Sequence, residues 1–272
     1  MNTTATTTEP PTMRSTDRER FFQLETIGCQ MNVYDSERMA EALSHGGYKQ
    51  TDDRSIADLI LINTCSVRHK SEHKMDSMLG KLRTLKEHNP ELVIGVAGCV
   101  AQQEGGKLLK RFKYLDLVIG PDQVTSVAEL VARVRQTRLQ HAATEFIHRK
   151  RYDFVVPDPP VDGRVTSFVT VMKGCNKFCS FCIVPTTRGR EVSKPSDAVV
   201  AEVQVLVDHG VREVTLLGQN VNSYGKDRRR EEVDFTGLID KVHAIDGLER
   251  IRFTTSHPMD CTERLIDAFG RL

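Results

Sequence analysis

At 272 residues, with 39% hydrophobic and 28% charged residues, the chain has the size and composition of a globular protein of two domains, not of a fibrous, disordered or membranous one. Lys plus Arg number 38 against 37 Asp plus Glu, so the formal charge of +1 gives no overall pull toward nucleic acid and any such contact must come from a local patch. Seven cysteines, an odd count with no apolar signal-peptide core ahead of them, point to a reducing cytoplasmic setting and to metal or redox use in place of a disulfide framework.

Residues 1–20 form a Thr-rich, Pro-containing tract without hydrophobic period, which reads as a disordered tail. From Phe21 a strand–helix alternation begins. Strands are predicted at 21–27, 59–63, 92–97 and 115–119, and helices at 36–45, 70–87, 104–112 and 124–138. Such alternation predicts an open parallel sheet, of Rossmann or flavodoxin-like kind, covered by helices on both faces. Cys29 then follows the first predicted strand, Cys65 the second and Cys99 the third, which places all three at the carboxyl edge where ligands of such sheets bind. Taken singly, each reads as a small buried residue. Their shared position after strands favours convergence on one metal or cluster, and Gly28 and Gly98 before two of them suggest a backbone that approaches a bulky ligand.

Residues 139–164 interrupt the rhythm. Pro157, Pro159, Pro160 and Gly163 mark a linker, and Arg133, Arg135, Arg138, Arg149, Lys150 and Arg151, opposed only by Glu145, read either as a solvated face or as a resting place for RNA phosphates. A smaller basic cluster at Lys226, Arg228, Arg229 and Arg230 is diluted by Asp227, Glu231 and Glu232.

A second series spans 165–272: strands at 166–172, 214–217 and 251–254, helices at 197–209, with Ser196 as cap, 235–245 and 262–269. Polar residues again gather after strand ends, at Gln219, Asn220 and Asn222 and at Ser256 and His257, the face that carries the active site of a parallel β/α barrel. Three βα units are too few for a barrel, so the chain reads as the front part of a longer protein. An exposed edge after 251–254 is expected to associate.

The first strand of this series runs into Cys175, Cys179 and Cys182, spaced C-x3-C-x2-C. An iron–sulfur cubane takes four thiolates, so a three-Cys loop leaves one iron open to a small molecule. A zinc site would want a fourth ligand nearby, and His209 is far along the chain. A redox pair at Cys179 and Cys182 would leave Cys175 unexplained. Cys261 reads as a small buried residue.

With Gly28-Cys29-Gln30-Met31-Asn32, Asp35-Ser36-Glu37, Asn63-Thr64-Cys65-Ser66-Val67-Arg68, Gly98-Cys99, Thr187-Arg188-Gly189-Arg190-Glu191 and Gly218-Gln219-Asn220-Val221-Asn222-Ser223-Tyr224-Gly225, the loop resembles the radical S-adenosylmethionine methylthiotransferases, and most of all the members that act on tRNA. Thr186 and Lys173 depart from the family's usual residues. The resemblance implies an N-terminal methylthiotransferase domain (21–138) and an incomplete radical S-adenosylmethionine domain (165–272), without the family's C-terminal TRAM domain. It implies two [4Fe-4S] clusters, one on Cys29, Cys65 and Cys99 and one on Cys175, Cys179 and Cys182. The second would bind S-adenosylmethionine, with Gln219 and Asn220 on its side, and cleave it to a radical; the first would hold the sulfur delivered. The resemblance assigns no catalytic residue beyond these cluster ligands. The implied substrate is tRNA bearing N6-isopentenyladenosine at position 37, methylthiolated at C2, with an external electron donor, a sulfur source and no membrane. Alternatives are a sibling acting on an aspartate of a ribosomal protein and a non-catalytic metal-binding protein or fragment.

Overall fold

The computed structural model describes residues 18–67, 69–147, 154, 157–159, 163–228 and 233–271. The predicted tail up to residue 17, the basic residues Arg149, Lys150, Arg151, Arg229 and Arg230, and Arg68 lie outside them.

The chain runs β1 (Arg20–Ile27), α1 (Gln30–His45), β2 (Tyr48–Gln50), β3 (Leu59–Thr64), α2 (His69–His88), β4 (Val93–Gly98), α3 (Cys99–Glu104), α4 (Gly106–Arg111), β5 (Leu117–Ile119), α5 (Val127–Thr137) and β6 (His141–Ala143). These six strands form one parallel sheet in the order β2-β1-β3-β4-β5-β6. The continuous apolar runs of β3 and β4 are buried on both faces, as central parallel strands are. One face packs on α1 and α5 through Met39, Leu43, Val127 and Val131, and the other on α2, α3 and α4 through Met75, Leu79, Val100 and Leu108. The order reverses direction between β1 and β3, so the switch point where such sheets bind ligands lies between the strands that lead to Cys29 and Cys65.

The second unit runs β7 (Thr166–Thr170), β8 (Met172–Lys173), α6 (Val184–Thr187), β9 (Val192–Ser193), α7 (Ser196–Asp208), β10 (Glu213–Leu217), α8 (Phe235–His243), β11 (Arg250–Phe253) and α9 (Glu263–Arg271). Its parallel sheet is ordered β11-β10-β7, with α7 and α8 packed on it through Val199, Val203, Leu238 and Val242. β8 and β9 pair antiparallel and close the base of the loop between them.

Several boundaries differ from the sequence reading. The first helix starts six residues earlier, at Gln30, and the helix expected at 104–112 is two short helices broken at Gly105, whose φ is +51°. β2 and β6 are strands too short for an alternation to register, and β6 carries the sheet into the stretch read as linker. Ser196 is the first residue of α7 and not its cap; Pro195 holds that position, and the Ser196 hydroxyl instead accepts from Lys241 at 2.8 Å. Of the basic residues read either as a solvated face or as a resting place for RNA phosphates, Arg135 donates to the Asp58 carbonyl at 2.7 Å, and Arg138 pairs with Glu91 at the surface.

Among the described residues β11 pairs on one side only. Beside it lies an apolar cavity of about 270 Å3 lined by Ile239, Leu248, Ile251, Phe253, Leu265 and Phe269, with Phe269 69% and Ile266 57% exposed. An open strand edge next to exposed apolar side chains recruits other chains. The 272-residue polypeptide is therefore expected to show a mass by light scattering that rises with concentration, and Phe269→Glu to lower it. A concentration-independent monomer mass would contradict this.

Candidate cluster site between two sheet edges

The first cysteine set is assembled by strand register. Ile27 is paired with Thr64 and Thr64 with Gly98 across β1, β3 and β4, so the three chains reach the carboxyl edge at one level and Cys29, Cys65 and Cys99 follow within two residues. The Cys65 amide donates to the Ile27 carbonyl at 3.0 Å, holding the two turns together. Cys65 and Cys99 are buried, whereas Cys29 is exposed.

Beneath the thiols is a buried amide network. Asn32 donates to Asn63 Oδ1 at 3.1 Å, and Asn63 returns bonds to the Asn32 carbonyl at 2.8 Å and to Ser36 Oγ at 2.9 Å. The Cys29 amide donates to Asn32 Oδ1 at 3.3 Å at the start of α1. This network explains the two glycines differently from the sequence reading. A Cβ on Gly28 would lie 2.3 Å from Asn32 Oδ1, and one on Gly98 2.4 Å from both Asn63 Oδ1 and the Thr64 carbonyl, while the φ of Gly98 is +92°. Both glycines make room for the asparagine pair.

A hydrogen bond from the Cys65 thiol is the main reason that the Cys29 thiol is lowered to about 5; burial opposes it, and the Asn32 backbone and the Arg188 charge add to it. Cys65 is pushed up by the same shared proton and by burial. The negative charges of Cys29 and Cys99 raise Cys65 further.

The second set sits on the loop after β8. Its base is closed by the Cys175 amide donating to the Gly189 carbonyl at 3.0 Å and by Asn176, which donates to Glu191 at 3.2 Å through both its amide and its side chain. Cys175 is buried and its thiol raised, chiefly by burial; Cys182 is half-buried and Cys179 exposed. The Cys182 amide donates to the Cys179 carbonyl at 3.0 Å, which folds the loop back on itself. Phe178 is exposed beside it, with the Arg190 guanidinium 4.5 Å from its ring.

Gln219 and Asn220, after β10, reach this loop. Gln219 Oε1 accepts from the Gly174 amide, and Asn220 Nδ2 donates to Asp260 at 2.7 Å. Gln219 Nε2 and Asn220 Oδ1 are buried without a partner. Asn222 and His257 bond to each other through two contacts of 2.9 Å, so the polar residues read after the strand ends do converge. Cys261, expected in the core, is exposed on a turn at the end of a short 3-10 segment, because the neighbouring Asp260 and not the thiol is turned inward.

Sequence reading missed what joins the two sets. Arg188 donates to Asp35 at 2.6 Å and Lys173 to Asp122 at 2.5 Å, all four side chains buried between the domains. Met31 and Tyr34 pack on Leu217 beside them, and a cavity of about 40 Å3 among these groups has room for a water molecule or two. Burial pushes the Asp35 carboxyl up and the Lys173 amine down. Lys173 is thus matched by a carboxylate of the first domain.

Among the described residues no group of three His, Cys, Asp or Glu side chains is drawn together tightly enough for a single metal ion. A cubane carries its thiolates on separate irons and spaces them more widely. Two sets of three soft sulfur donors, without carboxylate or imidazole, suit iron–sulfur chemistry. The unpartnered Gln219 and Asn220 atoms suit a polar ligand beside the second set. No described helix is long and apolar enough to cross a membrane.

Residues 21–120 match the uncharacterized protein family UPF0004, and residues 169–272 the Radical SAM superfamily. The chain is 52% identical over 254 residues to the tRNA-2-methylthio-N(6)-dimethylallyladenosine synthase of Geobacter metallireducens, covering 93% of this chain and 57% of that protein. It is 50% identical to the synthases of Bordetella pertussis and Pseudomonas aeruginosa, covering 92% of this chain and 56% of each. The chain thus spans little more than half the length of these relatives. In fold it is similar to the radical S-adenosylmethionine methyltransferase TsrM from Kitasatospora setae (TM-score 0.60, 14% identity, 93% of this chain and 57% of that one) and to the cobalamin-dependent radical enzyme OxsB (0.56, 10%, 93% and 41%).

Two outcomes follow from this geometry. In metal-free protein at about pH 6.5, where an ordinary thiol is only about 1% ionised, Cys29 is expected to be alkylated by iodoacetamide ahead of the other exposed thiols. Cys65→Ala, which removes the donor, should slow it; peptide mass spectrometry showing no such order would contradict the thiol pair. Gly98→Ala is expected to cost about 1–3 kcal/mol in urea unfolding, by crowding the asparagine pair.

Proposed function

The chain belongs to the radical S-adenosylmethionine methylthiotransferase family, and from that premise we propose that it forms the two-cluster part of a cytoplasmic enzyme that places a methylthio group on C2 of N6-isopentenyladenosine at position 37 of tRNA. The observation that supports this reading is that two sets of three thiols, each following the carboxyl end of parallel strands, belong to two sheets joined by the buried Asp35–Arg188 and Lys173–Asp122 pairs. The names of relatives that match over 92–93% of the chain support tRNA as substrate. An external electron donor and a sulfur source complete the reaction.

Cys175, Cys179 and Cys182 would hold one cluster and Cys29, Cys65 and Cys99 the other. When bound, such clusters supply the one-electron cleavage of S-adenosylmethionine and the sulfur to be transferred, chemistry that no side-chain acid or base provides at an aromatic carbon. The chain's own residues bind and orient. Gln219, by accepting from the Gly174 amide, fixes the entry of the three-Cys loop, and Glu191 with Asn176 fixes its base. The Gln219 amide nitrogen offers a donor for a carboxylate and the Asn220 oxygen an acceptor for an ammonium, the two charged groups of the amino-acid end of S-adenosylmethionine. The buried Asp35–Arg188 and Lys173–Asp122 pairs keep the two edges facing and exclude bulk water between them.

The test is anaerobic reconstitution with iron and sulfide. Replacing either cysteine set by Ala should lower bound iron to about half. In a full-length form that carries this sequence, loss of Cys175, Cys179 and Cys182 should abolish both 5′-deoxyadenosine and methylthiolated tRNA. Loss of Cys29, Cys65 and Cys99 should leave 5′-deoxyadenosine while ending methylthiolation. Product at undiminished yield without the Cys29 set would overturn the two-cluster reading.

A further inference from the structure

Arg188 belongs to the second domain by sequence, six residues past Cys182, yet its guanidinium is delivered to the first. It caps the carboxyl end of α6, and α6 packs on α3, the helix that begins at Cys99. It donates at 2.6 Å to Asp35, which lies on α1, the helix that begins just after Cys29. Both side chains are more than nine-tenths buried, so their charges act through protein and not through water. The charges that Arg188 feels are those of Asp35 and then of Cys99 and Cys29, while the main charges on Asp35 are those of Arg188, Asp122 and Lys173. Held by Asp35 on the helix that follows Cys29, and closing the helix that packs on the one starting at Cys99, the cation of the pair lies near the chain ends that carry the first thiol set. The other buried interdomain pair, Lys173 with Asp122, balances its own charge.

We propose that Arg188 is a positioning residue through which the second domain sets the charge balance of the first domain's sulfur site, raising the reduction potential of the iron–sulfur group held by Cys29, Cys65 and Cys99. This rests on the cluster reading above. Three thiolates outweigh the 2+ core of an oxidised cubane, so the site is net negative before it takes up one electron from an external donor and one unit more negative afterwards. A fixed cation stabilises the second state more than the first. An Arg serves this better than a Lys, because its charge survives complete burial and its planar fork is held in place on Asp35. The assignment also gives a physical use to the Thr187-Arg188-Gly189 segment beyond closing the three-Cys loop.

The experiment uses this chain with Cys175, Cys179 and Cys182 replaced by Ala, reconstituted so that only the first site carries iron, and titrated reductively with the signal followed by electron paramagnetic resonance. Arg188→Gln is expected to shift the potential to more negative values and Arg188→Lys to shift it less. Asp35→Asn, which leaves the guanidinium uncompensated, is expected to shift it the other way. Shifts of opposite sign distinguish an electrostatic role from mere loosening of the interface, which would move both variants alike. If Arg188→Gln fails to hold iron, the sign for Asp35→Asn decides. Equal potentials, or shifts of the same sign, overturn the proposal while leaving the cluster reading intact. Absence of iron in the parent triple variant overturns both.

Discussion

Burial of charge between the two domains is the constraint on which the rest of the arrangement depends. Ions leave water at a cost of several kcal/mol each, recovered only when partners meet in good geometry, and removing one partner of such a pair costs about 3–5 kcal/mol. The Asp35–Arg188 and Lys173–Asp122 pairs therefore allow the domains very little freedom to slide, since any displacement leaves a charge buried and alone. In both pairs the first domain supplies the carboxylate and the second the cation. The two buried pairs thus join the domains by local charge complementarity, although the whole chain is nearly neutral.

Within the first domain the register of the sheet does the corresponding work. Parallel pairing at Ile27, Thr64 and Gly98 brings three chain ends to the same height, and the side chains that follow are held from below by the Asn32–Asn63 pair. A buried amide pair is stable only if nearly every donor and acceptor is matched, and here Ser36, Thr64 and the Cys29 backbone complete it. The glycine before each of two cysteines is one cost of that network: any larger residue would strike an asparagine oxygen.

How much of this was legible in the sequence follows from the range of each interaction. Runs such as Leu59-Ile60-Leu61-Ile62 and Val93-Ile94-Gly95-Val96 announce central strands, and a cysteine just past a strand is placed at the sheet edge by topology alone, so the fold and the first thiol set could be read. β2 and β6, at three residues each, are too short to carry a period, and their place comes from the sheet edges they complete. The partnership of Asp35 with Arg188 spans 153 positions. Each residue stood inside a quoted motif, yet nothing local distinguishes a motif residue that touches a ligand from one that holds two domains together. Cys261 was misread for a related reason: burial on such a turn belongs to whichever neighbour finds partners inside, and Asp260 found them.

Asp260 also settles which end of the Asn220 amide is left over near the three-Cys loop. Burial works against its ionisation, but hydrogen bonds from Lys226, Asn220 and Lys177 outweigh it and hold the carboxyl at about 2, so it stays charged at any physiological pH. Those three donors come from the loop after β10 and from the cysteine loop itself, and Asp260 follows β11; one carboxylate thereby ties together the segments beyond three neighbouring strands. The tie fixes more than position. An amide side chain has one donor end and one acceptor end, and which end faces a ligand is decided by what the other end holds. Because Asn220 spends its nitrogen on Asp260, its oxygen is left over, and because Gln219 spends its oxygen on the Gly174 amide, its nitrogen is left over. The unmatched donor and acceptor beside Cys175 are thus a consequence of how the loops are anchored, and a group that enters there must bring an acceptor for one and a donor for the other.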